Sequence, residues 1–339
     1  MIASADTSII LVNWNGWADV VECLGSLLHV VEPPRSIIVV DNASTDGSVS
    51  RIEAWCAGEF EHAPQASLEG VVCSRRAPAD LRWASLDVGA VMPSPLPQVL
   101  LLRSSRNTGF AGGNNLGLAV AAAAGCRAHW LLNTDTVVAP HSLVALLRRL
   151  DERPSAGAVG STLVYYWRPE RVQARGGAVF HPWTGGSQHL GVDSLLSDLP
   201  QDPGPTEQAC SYIVGASMLI TQDWLARVGP MCEDYFLYYE EIDWAERGRP
   251  QGFELAWAPD SLVFHKVGGS SRKRASRLSL RYLYRNRLVF TRRFHPGMRG
   301  RVVRAMGRQL VHHALRGHWD DVRELMGAIW AFRREWLVL

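Results

Sequence analysis

Two short, unbroken apolar runs constrain this chain more than any other feature. Ser8–Val12 reads Ser-Ile-Ile-Leu-Val and Ser36–Val40 reads Ser-Ile-Ile-Val-Val. Apolar runs of this length without alternation fit strands covered on both faces, as in a parallel sheet. Between them, over roughly Trp17–Val31, Val20, Val21, Leu24, Leu27 and Leu28 recur at helical spacing. The unit is strand–helix–strand. The rhythm continues with a strand at Val99–Leu102, a helix over Phe110–Gly125, a strand at His129–Leu132 and a helix over Pro140–Leu150. Alternation over 150 residues predicts an α/β, doubly wound fold, whose ligand sits at the carboxyl ends of the strands. The polar loops 13–16, 41–48, 103–109 and 133–136 all fall there.

Residues 58–97 break the rhythm and read as an insertion or long excursion. Residues 181–208, rich in Gly, Pro, Asp and Ser, read as a long loop of the kind that covers a site. Ile213–Ile220 and Leu262–Phe264 read as further strands, and from about Ser276 the pattern is helical to the end. With 339 residues and 47% apolar content, the chain has material for a large core. The six cysteines form no C-x-x-C pair, which argues for reduced thiols in a cytoplasmic protein rather than a disulfide or zinc framework. Met1–Thr7 shows no signal-peptide pattern, and apolar runs such as Leu116–Ala124 fall short of the ~20 residues of a membrane span.

Several strand ends carry chemistry. Asp41 closes a buried strand and opens a Ser/Thr/Gly loop, with Ser44 or Thr45 as the cap of the next helix. Its carboxylate either accepts from a base or ribose or caps an Asx-type turn. Arg106–Asn115 is a Gly-rich strand-to-helix turn with exposed amides suited to an anion, but it is neither a dinucleotide fingerprint nor a P-loop. Asn133-Thr134-Asp135-Thr136 ends the fourth strand, and Asp135 there suits a divalent cation. His265 is either structural or a second ligand to that ion; the nearby Gly268-Gly269-Ser270-Ser271 turn favours the ligand. Carboxylate plus imidazole leans toward Mn²⁺, with Mg²⁺ open. Glu240, Glu241 and Asp243 follow the aromatic run Tyr235–Tyr239. They are either a helix start or acids of perturbed proton affinity. On a helix Glu240 and Asp243 share a face, and Glu241 points about 100° away.

Six blocks, in order, resemble those of family 2 glycosyltransferases, most closely the rhamnosyltransferase-type members: Asp41–Ser48, Asn107–Asn115, Leu131–Thr136, Val214–Ile220, Phe236–Trp244 and His265–Ser271. The resemblance covers roughly residues 8–290. It implies a GT-A fold, a Rossmann-like doubly wound mixed sheet with C-terminal helices. It also implies an inverting hexosyltransferase that takes a nucleotide-diphosphate sugar, with dTDP-rhamnose the donor suggested, and a divalent metal. On that basis Asp41, Asn42, Asn107, Gly112, Asn114, Asn115, Asn133 and Thr134 would line the donor. Asp135 and His265 would hold the metal. Glu241 would be the base, with Glu240 its alternate. Three departures stand out: Asn133 where the first Asp of D-x-D is usual, Glu241 where Asp is usual, and the long 58–97 stretch. The implied organisation is a donor-binding half over 1–150, an acceptor-binding and catalytic half over 151–270, and a basic helical extension over 271–339.

From Lys266 onward the chain holds 18 basic and 4 acidic residues, whereas residues 1–265 hold 17 and 29. This basic segment either folds back on the acidic body or meets an anion. Arg272, Lys273, Arg274, Arg277, Arg281, Arg285 and Arg287 suit a diphosphate or an anionic membrane surface, in keeping with a glycan or lipid-linked acceptor. No nucleic-acid partner is expected. Val322, Leu325, Met326, Ile329, Trp330 and Trp336–Leu337 form a stripe that packs on the body or on a second copy. Two other classes were weighed. A sugar nucleotidyltransferase needs a basic Gly-rich loop after the first strand, which Asn13-Trp14-Asn15-Gly16 does not supply. A binding-only pseudoenzyme or membrane adaptor sits poorly with retention of Asp135, Glu241 and His265.

Overall fold

The computed structural model describes residues 1–267 and 277–336, the side chains of 332–336 excepted. The Gly268–Ser271 turn, Arg272, Lys273, Arg274 and Leu337 lie outside the described residues. The first half runs β1 (Thr7–Asn13), α1 (Trp17–Leu27), β2 (Ser36–Asp41), α2 (Ser48–Cys56), β3 (Trp83–Asp87), β4 (Val99–Arg103), α3 (Gly109–Ala123), β5 (Ala128–Leu132), β6 (Thr136–Val138) and α4 (Ser142–Glu152). The second adds β7 (Ala156–Tyr165), β8 (Arg168–Arg175), β9 (Gly177–His181), β10 (Gly186–His189), α5 (Gly204–Ala209), β11 (Tyr212–Ile213), β12 (Ser217–Thr221), α6 (Gln222–Val228), α7 (Glu240–Gly248) and β13 (Glu254–His265). Three helices close the chain: α8 (Arg277–Phe294), α9 (Arg299–Leu315) and α10 (Trp319–Trp336).

A ten-stranded sheet has the order β3-β4-β2-β1-β5-β12-β7-β13-β6, with β8 added on β7. Strands β3, β4, β2, β1 and β5 are parallel, while β12 runs antiparallel between β5 and β7. The unbroken apolar runs follow from this placement. On β1, Ile9 and Leu11 join the core with α1, α2 and α4, and Ile10 joins Leu118 of α3 on the opposite face. Each such fully buried aliphatic side chain contributes about 1.5–3 kcal/mol.

The departures from expectation are local. The 58–97 excursion contains an edge strand, β3, paired in parallel with β4 from Trp83↔Val99. Its side chains are half-buried, so Trp-Ala-Ser-Leu-Asp carries no clear apolar period. Residues 181–208 are not a bare loop, since they hold β10 and α5. Ile213–Ile220 is split: β11 belongs to a small antiparallel sheet with β9 and β10, and β12 to the large one. The Leu262–Phe264 strand extends to twelve residues in β13. Helix α2 starts after Gly47, and its first-turn amide at Ser48 is met by Asp46 Oδ1 at 2.9 Å, not by Ser44 or Thr45.

The basic segment folds back in part on the body. Arg293 pairs with Asp243 of the body at 2.8 Å, whereas Arg277 pairs with Glu324 inside the segment itself at 3.0 Å. The stripe on α10 divides: Leu325 is buried against Leu280, Tyr284 and Met306, whereas Met326 and Trp330 are exposed. No helix of the described residues is long and apolar enough to cross a membrane.

One buried charge cluster ties the excursion to the sheet. Lys266, just past β13, donates to Glu22 Oε2 at 2.8 Å and Asp19 Oδ1 at 2.5 Å on α1. Glu22 Oε1 accepts from Tyr166 Oη at 2.6 Å and from the Gln65 amide at 3.2 Å, and the Ala66 amide donates to Tyr166 Oη at 2.6 Å. Removing one partner strands a charge in the interior. Lys266→Met is expected to destabilise by about 3–5 kcal/mol in urea unfolding, and adding Glu22→Gln to recover most of the loss. Additive losses would show that the pair does not act as a unit.

Candidate active site

The parallel strands end in register, which aligns their polar last residues. Asn13 pairs across to Asp41, and Asp41 to Arg103. Asp41 is 2% exposed; its Oδ1 accepts from Asn13 Nδ2 at 2.8 Å and its Oδ2 from the Ser44 amide at 3.0 Å. Asp41 therefore holds an Asx-type turn. Asn15, with φ of 55°, faces the same loop and accepts from the Thr45 amide at 2.7 Å.

The Gly-rich turn into α3 serves close packing. Asn42 Nδ2 donates to Gly109 O at 2.9 Å, and its Oδ1 accepts from the Thr108 amide at 2.9 Å. A Cβ on Gly109, whose φ is +73°, would lie 2.3 Å from Phe236 O. One on Gly112 would meet Thr108 at 2.5 Å. Asn107 Oδ1 accepts from the Gly109 amide at 2.9 Å. Asn114 is 1% exposed and donates to Phe110 O at 2.9 Å within its own helix. Asn115 clamps the 231–233 segment, accepting from the Met231 amide at 2.9 Å and donating to Glu233 Oε1 at 2.9 Å. Asn42, Gly112, Asn114 and Asn115, expected on the donor, fix the turn and the segment facing it. Their polar groups are met by the fold, and Asn42 and Asn114 are shut off from solvent.

Beyond β5 the half-buried Asn133 and Thr134 lead to Asp135. Asp135 Oδ1 lies 3.2 Å from His265 Nε2, because β6 and β13 pair with Thr136 opposite His265. Gln173 Oε1 sits 2.9 Å from His265 Nδ1. Accepting the Nδ1–H hydrogen bond, it leaves Nε2 facing the carboxylate, as a lone pair in the neutral ring and as a second N–H in the imidazolium. Two acceptors so placed invite a cation between them, and a hydrogen-bonded imidazole beside a carboxylate is a usual oxygen–nitrogen ligand set. The residues fit a divalent metal. Against the desolvation that would raise it, His265 holds the Asp135 carboxyl below its ordinary range. Gln173 gave no signal in the sequence, because only the β7–β8–β13 arrangement brings it to His265.

The acids open α7. Phe236, Tyr238 and Tyr239 take left-handed φ values of 63°, 68° and 78°. Such conformations cost bulky residues about 1–3 kcal/mol each and persist only when held. They are held from α8, where Asn286 Nδ2 donates to the carbonyls of Tyr235 at 2.7 Å and Leu237 at 2.8 Å. From α3, the Phe110 amide donates to Phe236 O at 2.7 Å. The turn sets Glu240 inward, 2% exposed, and leaves Glu241 half-buried. Asp243 is buried and committed to Arg247 at 2.6 Å and Arg293 at 2.8 Å, so it is structural. Glu241 Oε1 lies 3.2 Å from where a Cβ on Gly215 would sit. The next residue, Ala216, accepts from the Asn133 amide at 3.0 Å. The half-buried acid and the Asn133–Asp135 strand end thus meet through adjoining residues of one loop.

A model of glycosyl transferase family 2 matches residues 8–66. N-acetylglucosaminyl-diphospho-decaprenol L-rhamnosyltransferase of Mycobacterium tuberculosis is 24% identical over 298 residues, 81% of this chain and 80% of that protein. Two solved structures share the fold. GalNAc-T7 with UDP, GalNAc and Mn²⁺ superposes with a TM-score of 0.56 at 12% identity, over 82% of this chain but only 47% of its own. The mannosyltransferase PcManGT from Pyrobaculum calidifontis, in complex with GDP-Man and Mn²⁺, gives 0.51 at 15% identity over 97% and 77%.

Burial pushes both carboxyls up, Glu240 well above its usual range with Glu241 adding to the effect. The sign for stability follows. Between the unfolded value of about 4.3 and the raised folded value, the fold keeps a proton that the unfolded chain has released, so stability falls as pH rises through that window. Glu240→Gln is expected to raise the melting temperature at pH 8 relative to the parent and to give little gain at pH 4. An equal gain at both pH values would remove the titration as its cause.

Proposed function

This chain is a family 2 glycosyltransferase of the GT-A fold, and we propose that it moves a sugar, with inversion, from a nucleotide-diphosphate sugar to a hydroxyl of a lipid-linked glycan. The support is the Asp135–His265 pair and the half-buried Glu241, linked to that strand end through Gly215 and Ala216, on a chain similar across four-fifths of its length to a rhamnosyltransferase whose name specifies a diphospho-decaprenol substrate. A deoxythymidine-diphosphate rhamnose donor is the accompanying choice.

The donor would lie along the carboxyl ends of β1, β2, β4 and β5, in the space framed by the Asn13–Asn15 and Asp41–Ser44 loops. Asn133 and Thr134, half-buried at the end of β5, would face its diphosphate. Asp135 and His265 would hold a divalent cation, Mn²⁺ or Mg²⁺, which when bound neutralises the departing nucleotide diphosphate. Glu241 takes the proton of the acceptor hydroxyl as its oxygen attacks the anomeric carbon, and a raised proton affinity suits that role near neutral pH. Glu240 faces inward, and the charge of Glu241 beside it adds to the burial that raises its proton affinity. In this reading residues 1–150 carry the donor, 151–270 the base and acceptor, and the C-terminal helices brace the catalytic turn.

Glu241→Gln should lower the rate of sugar transfer about 10²–10⁴-fold with donor binding retained; full turnover would reject Glu241 as the base. Mn²⁺ should stabilise the parent chain by about 2.7 kcal/mol at a hundredfold excess over its Kd, seen as a raised melting temperature. Asp135→Ala should abolish that shift, and an unchanged shift would place the ion elsewhere.

A further inference from the structure

We infer that the groove between α8 and α10 is the subsite for the diphosphate and first prenyl units of the acceptor, which rests on the lipid-linked class proposed above. The groove measures about 640 Å³ and lies between Asp234 and Trp330. Arg281, Arg285 and Arg292 line one side of it from α8. Leu288, Val289 and Ala328 supply apolar surface, and the Trp330 ring is 61% exposed beside them. A second hollow of about 380 Å³ shares Asp234, Arg281 and Arg285 and adds Phe236 and Tyr282, whose rings stack at 4.8 Å. The two run together toward the 235–239 turn that leads into Glu240 and Glu241.

The charges and shape select the occupant. Among the described residues, Arg281 and Arg285 face the groove together with the carboxylates of Asp234 and Glu324, and Glu324 already pairs with Arg277 at 3.0 Å. Arg285 is anchored by Asp234 O at 2.9 Å, which aims the arginine row at the turn. Planar guanidinium forks suit phosphate oxygens, and more than one arginine suits a diphosphate. The apolar wall beyond them has no use for a soluble glycan, and a concave groove selects one chain rather than a bilayer surface. A prenyl diphosphate satisfies both halves: anion at the arginines, hydrocarbon against Val289 and Trp330.

The test is binding of farnesyl diphosphate to the full chain, measured by calorimetry and so independent of whether any sugar is transferred. Saturable binding is expected, weakened at least tenfold in Arg281→Glu and several-fold in Trp330→Ala. Arg308→Glu, on the exposed surface of α9 outside the groove, makes the same charge change as a control. It should bind as the parent does. Unaltered binding in both Arg281→Glu and Trp330→Ala would overturn the assignment. So would inorganic diphosphate competing at equal affinity, which would show an anion site without an apolar half. A dimer in solution that excludes farnesyl diphosphate would give the groove to a second copy instead. If farnesyl diphosphate binds as expected but no acceptor of this class is glycosylated, the proposed reaction fails while the subsite stands.

Discussion

The constraint behind the rest of the structure is that a parallel sheet must be covered on both faces. Strands β1 and β2 are buried almost throughout, with alternate residues facing opposite helix layers. No polar side chain is easily placed within them, so the polar residues collect where the strands end. Register then aligns Asn13, Asp41 and Arg103 across three strands. The loops at that edge carry the polar side chains, which is why donor chemistry is expected there.

The catalytic edge depends on a different kind of support. The turn over Phe236–Tyr239 is strained, and local sequence gives aromatic residues no reason to be left-handed. Two neighbours impose it: Gly109, which lets the turn approach its backbone, and Asn286, which gathers its carbonyls. The acids of α7 point as they do because of α3 and α8. The C-terminal helices are therefore part of the site's construction, and the Arg293–Asp243 pair ties the same helix to the far side of α7.

Much of the fold was legible in the residues. Strands β1, β2, β4 and β5 and their helices follow from unbroken apolar runs and helical spacing, both local properties. Strand β3 was not, because an edge strand half open to water lacks the apolar run that marks its neighbours. The asparagines expected on the donor pose a different problem. Asn42, Asn114 and Asn115 stand where a nucleotide-binding motif suggests ligand contacts, yet their amides hold backbone groups of the protein itself. A side-chain amide serves either purpose equally well, and sequence alone does not say which partner is nearer. Glu22, an acid inside the apolar face of α1, was the visible sign of the Lys266 cluster.

Taken alone, the sequence determined the α/β alternation and the carboxyl-end location of the polar loops, and it marked Asp135, His265 and Glu241 as candidate groups for the chemistry. Those depend on short-range periodicity and on residue type. Only the tertiary structure decided that Asp135 and His265, far apart in the chain, meet at 3.2 Å with Gln173 behind them. It also separated three adjacent acids into an inward Glu240, an open Glu241 and a structural Asp243. Proton affinity and reach are set by burial and by neighbours from distant segments, and those exist only once the chain has packed.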